Sequence, residues 1–216
     1  MWERQLQEFL GQTMFVKADP AHDAAHISRV VANAKALARS EGADLDVVIP
    51  AAWLHDCVIV PKDSPERARA SAIAATTAVR YLREIGYPEQ YLPAIHHAIH
   101  AHSYSAGVEP RTLEAKVVQD ADRLDALGAV GIARTLMLGG QMGKPLYDSA
   151  EPIPRKRLPD DSANVLDHFF TKLLRLEQQM QTESGRREAR RRTKFMQLYL
   201  AQLQRELQHV PGHPSA

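Results

Sequence analysis

Apolar residues recur along this chain at spacings of three and four, the interval that gathers side chains on one face of an α-helix. Leu6, Phe9, Leu10 and Met14 make such a stripe within 3–15, and Ile27, Val30, Val31, Ala34, Leu37 and Ala38 make another within 22–41. Residues 45–57 are mostly apolar and contain Trp53 and Leu54, which predicts a helix buried on most sides. The Ala-rich run 66–85 turns Val79 and Leu82 inward and stops at Gly86, a residue suited to a left-handed helix cap. Further stripes cover 89–102 and 112–127, and a short Gly-flanked helix is predicted over 128–142. Val165, Leu166, Phe169, Phe170, Leu173, Leu174 and Leu176 predict a helix over 161–181, and a long charged helix follows over 185–208. No segment sustains the apolar/polar alternation of a half-buried strand. The expected fold is all-α: a single compact multi-helix bundle over 1–210, built by helix-on-helix packing. Its core is expected at about 20–130, with C-terminal helices at 161–209 and a disordered tail at 211–216.

Gly143–Asp160 breaks the pattern with four prolines, Pro145, Pro152, Pro154 and Pro159. Apolar spacing resumes after it, so a long loop over the core is expected rather than a linker. Loops of this length often cover functional sites.

Composition narrows the picture. At 216 residues, 44% apolar and 25% charged, the chain has ordinary globular usage. A net charge of +1 gives no global field for nucleic acid or membrane binding. The single cysteine, Cys57, excludes both a disulfide framework and a thiolate zinc cage. No apolar run approaches the ~20 residues that span a bilayer, and Met1–Gln5 lacks a signal-peptide pattern, so a cytoplasmic protein is expected. Histidine is the unusual residue: ten in all, seven of them between His22 and His102.

Four side chains in predicted helices stand out: His26, the adjacent pair His55-Asp56, and Asp122. Imidazole nitrogens with carboxylate oxygens suit Mn²⁺, Fe²⁺, Zn²⁺ or Mg²⁺. Two histidines and two carboxylates leave coordination positions open for water and substrate. Neighbours on a helix point about 100° apart, so His55 and Asp56 can share an ion lying between their directions. They also sit at the C-terminal end of an apolar helix, whose negative pole favours a cation. Each element alone has a plainer reading, such as a core histidine or a chance dipeptide. Periodicity does not select Asp122, because Asp120 and Asp125 fall inside the apolar arc of their helix and Asp122 falls roughly 40° past Val118.

Several strings, taken in order, supply the selection. His22-Asp23-Ala24-Ala25-His26-Ile27-Ser28-Arg29-Val30, Trp53-Leu54-His55-Asp56-Cys57, Pro61-Lys62-Asp63-Ser64-Pro65, Ala101-His102-Ser103-Tyr104-Ser105 and Gln119-Asp120-Ala121-Asp122-Arg123-Leu124-Asp125-Ala126-Leu127-Gly128 resemble the HD-domain metal-dependent phosphohydrolases. They are closest to a bacterial branch acting as nucleotide pyrophosphohydrolases. The resemblance runs over about residues 20–200 and includes His168-Phe169-Phe170 and Lys172-Leu173-Leu174. It implies an all-α core around one divalent ion, with Mn²⁺ expected and Mg²⁺, Fe²⁺, Zn²⁺, Ni²⁺ or Co²⁺ as alternatives. It implies His26, His55, Asp56 and Asp122 as ligands, because the family's metal-binding Asp precedes Arg-Leu. It favours His26 over His22, its i,i+4 neighbour.

An ion held in this way acidifies a bound water toward neutrality, so solvent can attack phosphorus without a covalent enzyme intermediate. Lys62 and Arg67, in a Pro-bracketed loop leaving the ion-bearing helix end, are candidate phosphate contacts or ordinary loop cations. Arg123 is a candidate partner of the ligand or of substrate. Ser64 suits a helix N-cap better than catalysis. Asp125 is expected either to orient water or substrate, or to serve as a salt-bridge partner. His102 extends the stripe of Leu92, Ile95 and Ile99 inward, where an imidazole can protonate a leaving oxygen. His97, on the Ala94, Ala98 and Ala101 side, is a further candidate substrate contact, whereas His96 and His100 are expected to face solvent. The basic run Arg186, Arg187, Arg190–Arg192 and Lys194 is the best nucleic-acid hint, and it reads more simply as a solvated helix face.

The sequence therefore predicts a hydrolase of (deoxy)nucleoside triphosphates that releases monophosphate and pyrophosphate, as a monomer or homodimer, with no membrane partner. The alternatives are a 5′-nucleotidase or cyclic-nucleotide phosphodiesterase on the same site, or a nucleotide sensor without turnover.

Overall fold

The structure, a computed structural model, describes residues 2–13, 24–58, 60, 64, 66–103 and 106–208. Among them the elements are all helical. They run α1 (Trp2–Thr13), α2 (Ala24–Glu41), α3 (Leu45–Leu54), α4 (Ala70–Glu84), α5 (Leu92–His102), α6 (Leu113–Asp125), α7 (Gly128–Gln141), α8 (Asp167–Thr171) and α9 (Glu183–Gln208). Short 3₁₀ turns at Arg67–Arg69 and Glu89–Tyr91 precede α4 and α5, and a longer one spans Leu173–Gln179. The chain divides into two compact units, Met1–Leu124 with Gln181–Gly185, and Asp125–Met180 with Arg186–Ala216.

In the first unit α3 is the central rod, packed against α1, α2 and α5, while α4 packs on α5. Its sequence Leu-Asp-Val-Val-Ile-Pro-Ala-Ala-Trp-Leu is apolar on nearly every side, and Val48, Ala51, Ala52 and Leu54 are fully buried. Burying each large aliphatic side chain is worth about 1.5–3 kcal/mol. Asp44 caps the helix by accepting the Asp46 N–H at 2.8 Å. Pro50 lies inside α3 and has no N–H to give to the carbonyl four residues back, that of Asp46. The Tyr87 hydroxyl takes that place and donates to the Asp46 oxygen at 2.6 Å. A proline is thereby tolerated in the helix that delivers the His55-Asp56 pair. Gly86 ends α4 with φ +79°, and the Tyr87 N–H then reaches back to the Leu82 oxygen at 2.8 Å.

The second unit departs from expectation at 161–181. The continuous helix predicted there is replaced by five residues of α8 and the 3₁₀ turn, separated at Lys172 (φ −133°, ψ −61°). Acidic side chains compete for the local donors. The buried Asp167 carboxylate accepts Arg157 Nη1 and Nη2 at 2.5 and 2.7 Å and the Asp160 N–H at 2.7 Å. Asp161 accepts from Thr171 Oγ1 at 2.8 Å and faces His168 Nδ1 at 2.9 Å. Side-chain bonds to nearby groups favour turns over helix. The apolar spacing still reports burial, since Val165, Leu166, Phe169, Leu173 and Leu176 are all core. Pro145–Asp160 is irregular as expected, and the Glu151 carboxylate ties it together by accepting the N–H groups of Arg155, Lys156 and Arg157 at 2.7–3.1 Å.

On α9 the basic run is largely engaged within its own unit. Glu188 pairs with Arg191 at 2.8 Å and Arg192 at 2.7 Å, Glu177 pairs with Arg190 at 3.3 Å, and Arg186 donates to the Met180 carbonyl at 3.0 Å. Among the described residues no helix is long and apolar enough to cross a membrane.

Candidate metal centre

Three helices of the first unit bring the key side chains together. His26 lies in the first turns of α2, His55 caps the C-terminus of α3 with Asp56 in the turn after it, and Asp122 lies in α6. His26, His55 and Asp56 each offer a ligand atom within 4.8 Å of the others. Asp56 Oδ2 stands 4.0 Å from His26 Nε2 and 3.6 Å from His55 Nε2. Asp122 Oδ1 stands 3.6 Å from the first and 3.9 Å from the second. Donors bound to one ion at ~2.1 Å lie ~3.0 Å apart when adjacent and ~4.2 Å apart when opposite. The four measured separations fall between those limits, so a cation fits among His26, His55 and Asp56, with Asp122 within reach of both histidines.

Burial and tautomer fit as well. The His55 Nδ1–H donates to the Ala52 carbonyl at 2.8 Å, which leaves Nε2 as the lone-pair atom. Among the described residues that buried Nε2 has no hydrogen-bond partner, an omission that costs about 1–3 kcal/mol unless an ion meets it. Burial above all lowers the His55 pKa, keeping the ring in the neutral form that binds metals. The histidines are 0–2% exposed and Asp56 and Asp122 are 26% and 30% exposed, so the carboxylates form the open side of the pit. That side is where water and a substrate oxygen can enter.

His102 completes the cluster from the end of α5. Its Nδ1–H donates to the Ile99 carbonyl at 2.6 Å and its Nε2 lies 3.5 Å from Asp56 Oδ1. Asp56 therefore turns one oxygen to the two ligand histidines and the other to His102. Burial opposes charging of His102, but the Asp56 contact, with Asp122 behind it, outweighs burial and raises its pKa.

The other expected site residues have different settings. Asp125 is 1% exposed and takes Arg134 Nη1 at 2.6 Å in the second unit, the salt-bridge option of its two readings. His97 Nε2 accepts the Arg111 backbone N–H at 3.0 Å, a bond that ties α5 to the segment before α6. His96 and His100 stack edge-to-face with centroids 6.1 Å apart. Arg123 lies near Asp120, whose pKa burial raises despite the opposing pull of the Gln181 and Thr182 hydrogen bonds and the Arg123 charge. Ser64 Oγ accepts the Glu66 N–H at 3.2 Å, as a cap. His22, Lys62 and the Arg67 side chain lie outside the described residues.

Cys57, next to Asp56, is 3% exposed, and burial with the adjacent carboxylate pushes its thiol up to about 12. It is a packing residue, not a nucleophile. The native protein is expected to show no reactive thiol toward a disulfide reagent at pH 8 and one per chain after denaturation; rapid native labelling would contradict this burial.

Comparison with known proteins agrees with the geometry. The HD domain family model matches residues 23–127. With its four-residue pit on an all-helical scaffold, the chain belongs to the HD-domain superfamily, and it is a metal-dependent phosphohydrolase. YpgQ of Bacillus subtilis strain 168, described as uncharacterized, is 33% identical over 208 residues, spanning 94% of this chain and 93% of its own. The crystal structure of B. subtilis YpgQ in complex with ADP is similar at TM-score 0.71, with 35% identity over 97% of this chain and 96% of that one. An HD-superfamily hydrolase of Bacillus thuringiensis matches at TM-score 0.73 and 30% identity, covering 97% of this chain and 100% of that one.

Proposed function

We propose that this chain hydrolyses (deoxy)nucleoside triphosphates to the monophosphate and pyrophosphate, with Mn²⁺ as the working ion. The observation that carries the reading is the cluster of His26, His55 and Asp56, with Asp122 Oδ1 3.6 and 3.9 Å from the two histidines and His102 on the other oxygen of Asp56. The nucleotide class is supported by the ADP complex of YpgQ.

A bound divalent ion supplies Lewis acidity to phosphate oxygens and lowers the pKa of coordinated water. The protein supplies the rest. His26 and His55 would provide nitrogen donors to that ion, and Asp56 and Asp122 would offset its charge from the open side. The water oxygen bonds to the α-phosphorus and gives up a proton to bulk solvent as the bond from the α-phosphorus to the α–β bridging oxygen breaks, and pyrophosphate leaves with the electron pair. His102, held by the Ile99 carbonyl and Asp56, delivers a proton to the leaving oxygen. Lys62 and Arg67 follow the ligand pair closely in sequence and are the proposed contacts for the β- and γ-phosphates.

The test is a panel of nucleoside mono-, di-, tri- and cyclic phosphates with Mn²⁺, with product identity read by ³¹P NMR. Triphosphates are expected to yield pyrophosphate. Orthophosphate released from monophosphates, opening of a cyclic phosphate, or tight binding without turnover would overturn the proposal in favour of a nucleotidase, a phosphodiesterase or a sensor respectively.

A further inference from the structure

Three consecutive residues immediately before Asp122 are each tied to a different segment. Gln119 Nε2 donates to the Ala101 carbonyl at 2.7 Å, one residue before His102. The Ala121 carbonyl accepts from Asn33 Nδ2 at 3.3 Å, and Asn33 lies two turns beyond His26 on α2. Asp120 lies between them, completely buried. Its carboxylate accepts the Gln181 N–H at 2.9 Å, the Thr182 N–H at 2.8 Å and the Thr182 hydroxyl at 2.7 Å. The segment it grips is itself anchored to α2, where Glu41 Oε1 accepts the Ser184 N–H at 2.6 Å. Gly185 closes the arrangement: a Cβ there would stand 2.3 Å from Asp120 Oδ2. The carboxylate thus fills a slot shaped by a missing side chain.

On a helix, residues two apart point about 200° apart, so Asp120 and Asp122 face nearly opposite ways from the α6 axis. A carboxylate stands about 5–6 Å from that axis, and a 20° roll of the helix would carry it about 2 Å. That displacement equals a whole metal–ligand bond. We propose that Asp120 is a positioning residue of the metal centre: gripped by 181–182, it fixes the roll of α6 and thereby holds Asp122 Oδ1 at its place beside His26 and His55. The inference rests on the reading of Asp122 as a ligand.

The test measures Mn²⁺ binding alone, by electron paramagnetic resonance, in full-length variants shown to be folded by circular dichroism well below their melting points. Asp120→Asn removes the charge that grips 181–182. Gly185→Ala pushes on the same carboxylate from the other side, and it would otherwise favour α9 because Ala is the better helix former. Both are expected to weaken Mn²⁺ about 10–100-fold, the usual effect of losing support behind a ligand. Asp122→Ala is expected to weaken Mn²⁺ at least as much. If Asp120→Asn and Gly185→Ala melt earlier yet bind Mn²⁺ as the wild type does, Asp120 is structural only and the inference falls. If Asp120→Asn does not fold, Gly185→Ala decides alone by the same readout. Wild-type affinity in Asp122→Ala would instead remove the ligand reading itself.

Discussion

Replacing His55 with alanine should abolish both bound metal and hydrolysis while the fold survives. The imidazole is fully buried, and among the described residues its hydrogen bond is to the Ala52 carbonyl of its own helix. Its Nε2 has no hydrogen-bond partner among the described residues, so truncation removes an unsatisfied atom along with the packing it provides. The first effect offsets the second, and the metal-free variant should melt within a few degrees of the metal-free wild type. Function has no such compensation. Without the ion, water loses the Lewis acid that lowers its pKa, and turnover should fall by at least ~10³-fold. Asp56→Ala should behave alike, because Asp56 Oδ2 faces both histidines. Elemental analysis, thermal melting and steady-state kinetics read the three parts separately. Full activity in either variant would refute the site.

His102→Ala should give the second large effect, of a different kind. Its Nε2 faces the Asp56 oxygen that the ligand histidines do not use. The ion should therefore remain bound while kcat falls about 10²–10⁴-fold, the usual contribution of a positioned general acid. KM should change little, since the proposed role is proton delivery rather than binding. Loss of the ion in this variant would instead make His102 a ligand.

Much of this was legible in the chain because helices advertise their buried faces. The stripes over 22–41, 89–102 and 112–127 became α2, α5 and α6 with nearly the same limits. The three aspartates of α6 show where periodicity stops. Asp120 and Asp125 lie within the apolar arc, and the structure gives them internal partners, the 181–182 segment and Arg134. Asp122 lies beyond that arc and is 30% exposed, on the open side of the pit. Amphipathic spacing measures burial, and burial alone does not distinguish a structural carboxylate from a metal-binding one; the order of motifs is what proposes Asp122.

Other features depend on contacts too distant in sequence to be read from spacing. Pro50 inside α3 is tolerated because Tyr87, 37 residues on, satisfies the Asp46 carbonyl. His97 is engaged by the Arg111 backbone, which no pattern on α5 foretells. The residues of 161–181 carry helical apolar spacing and are buried accordingly. The break at Lys172 comes with Asp161 and Asp167 taking up nearby donors.

The most direct test of the central claim is a crystal of the wild-type protein equilibrated with Mn²⁺ and measured near the manganese absorption edge. The account predicts one strong anomalous peak within about 2.0–2.3 Å of His26 Nε2, His55 Nε2, Asp56 Oδ2 and Asp122 Oδ1. No peak among these atoms, at a Mn²⁺ concentration that supports hydrolysis in solution, would contradict it.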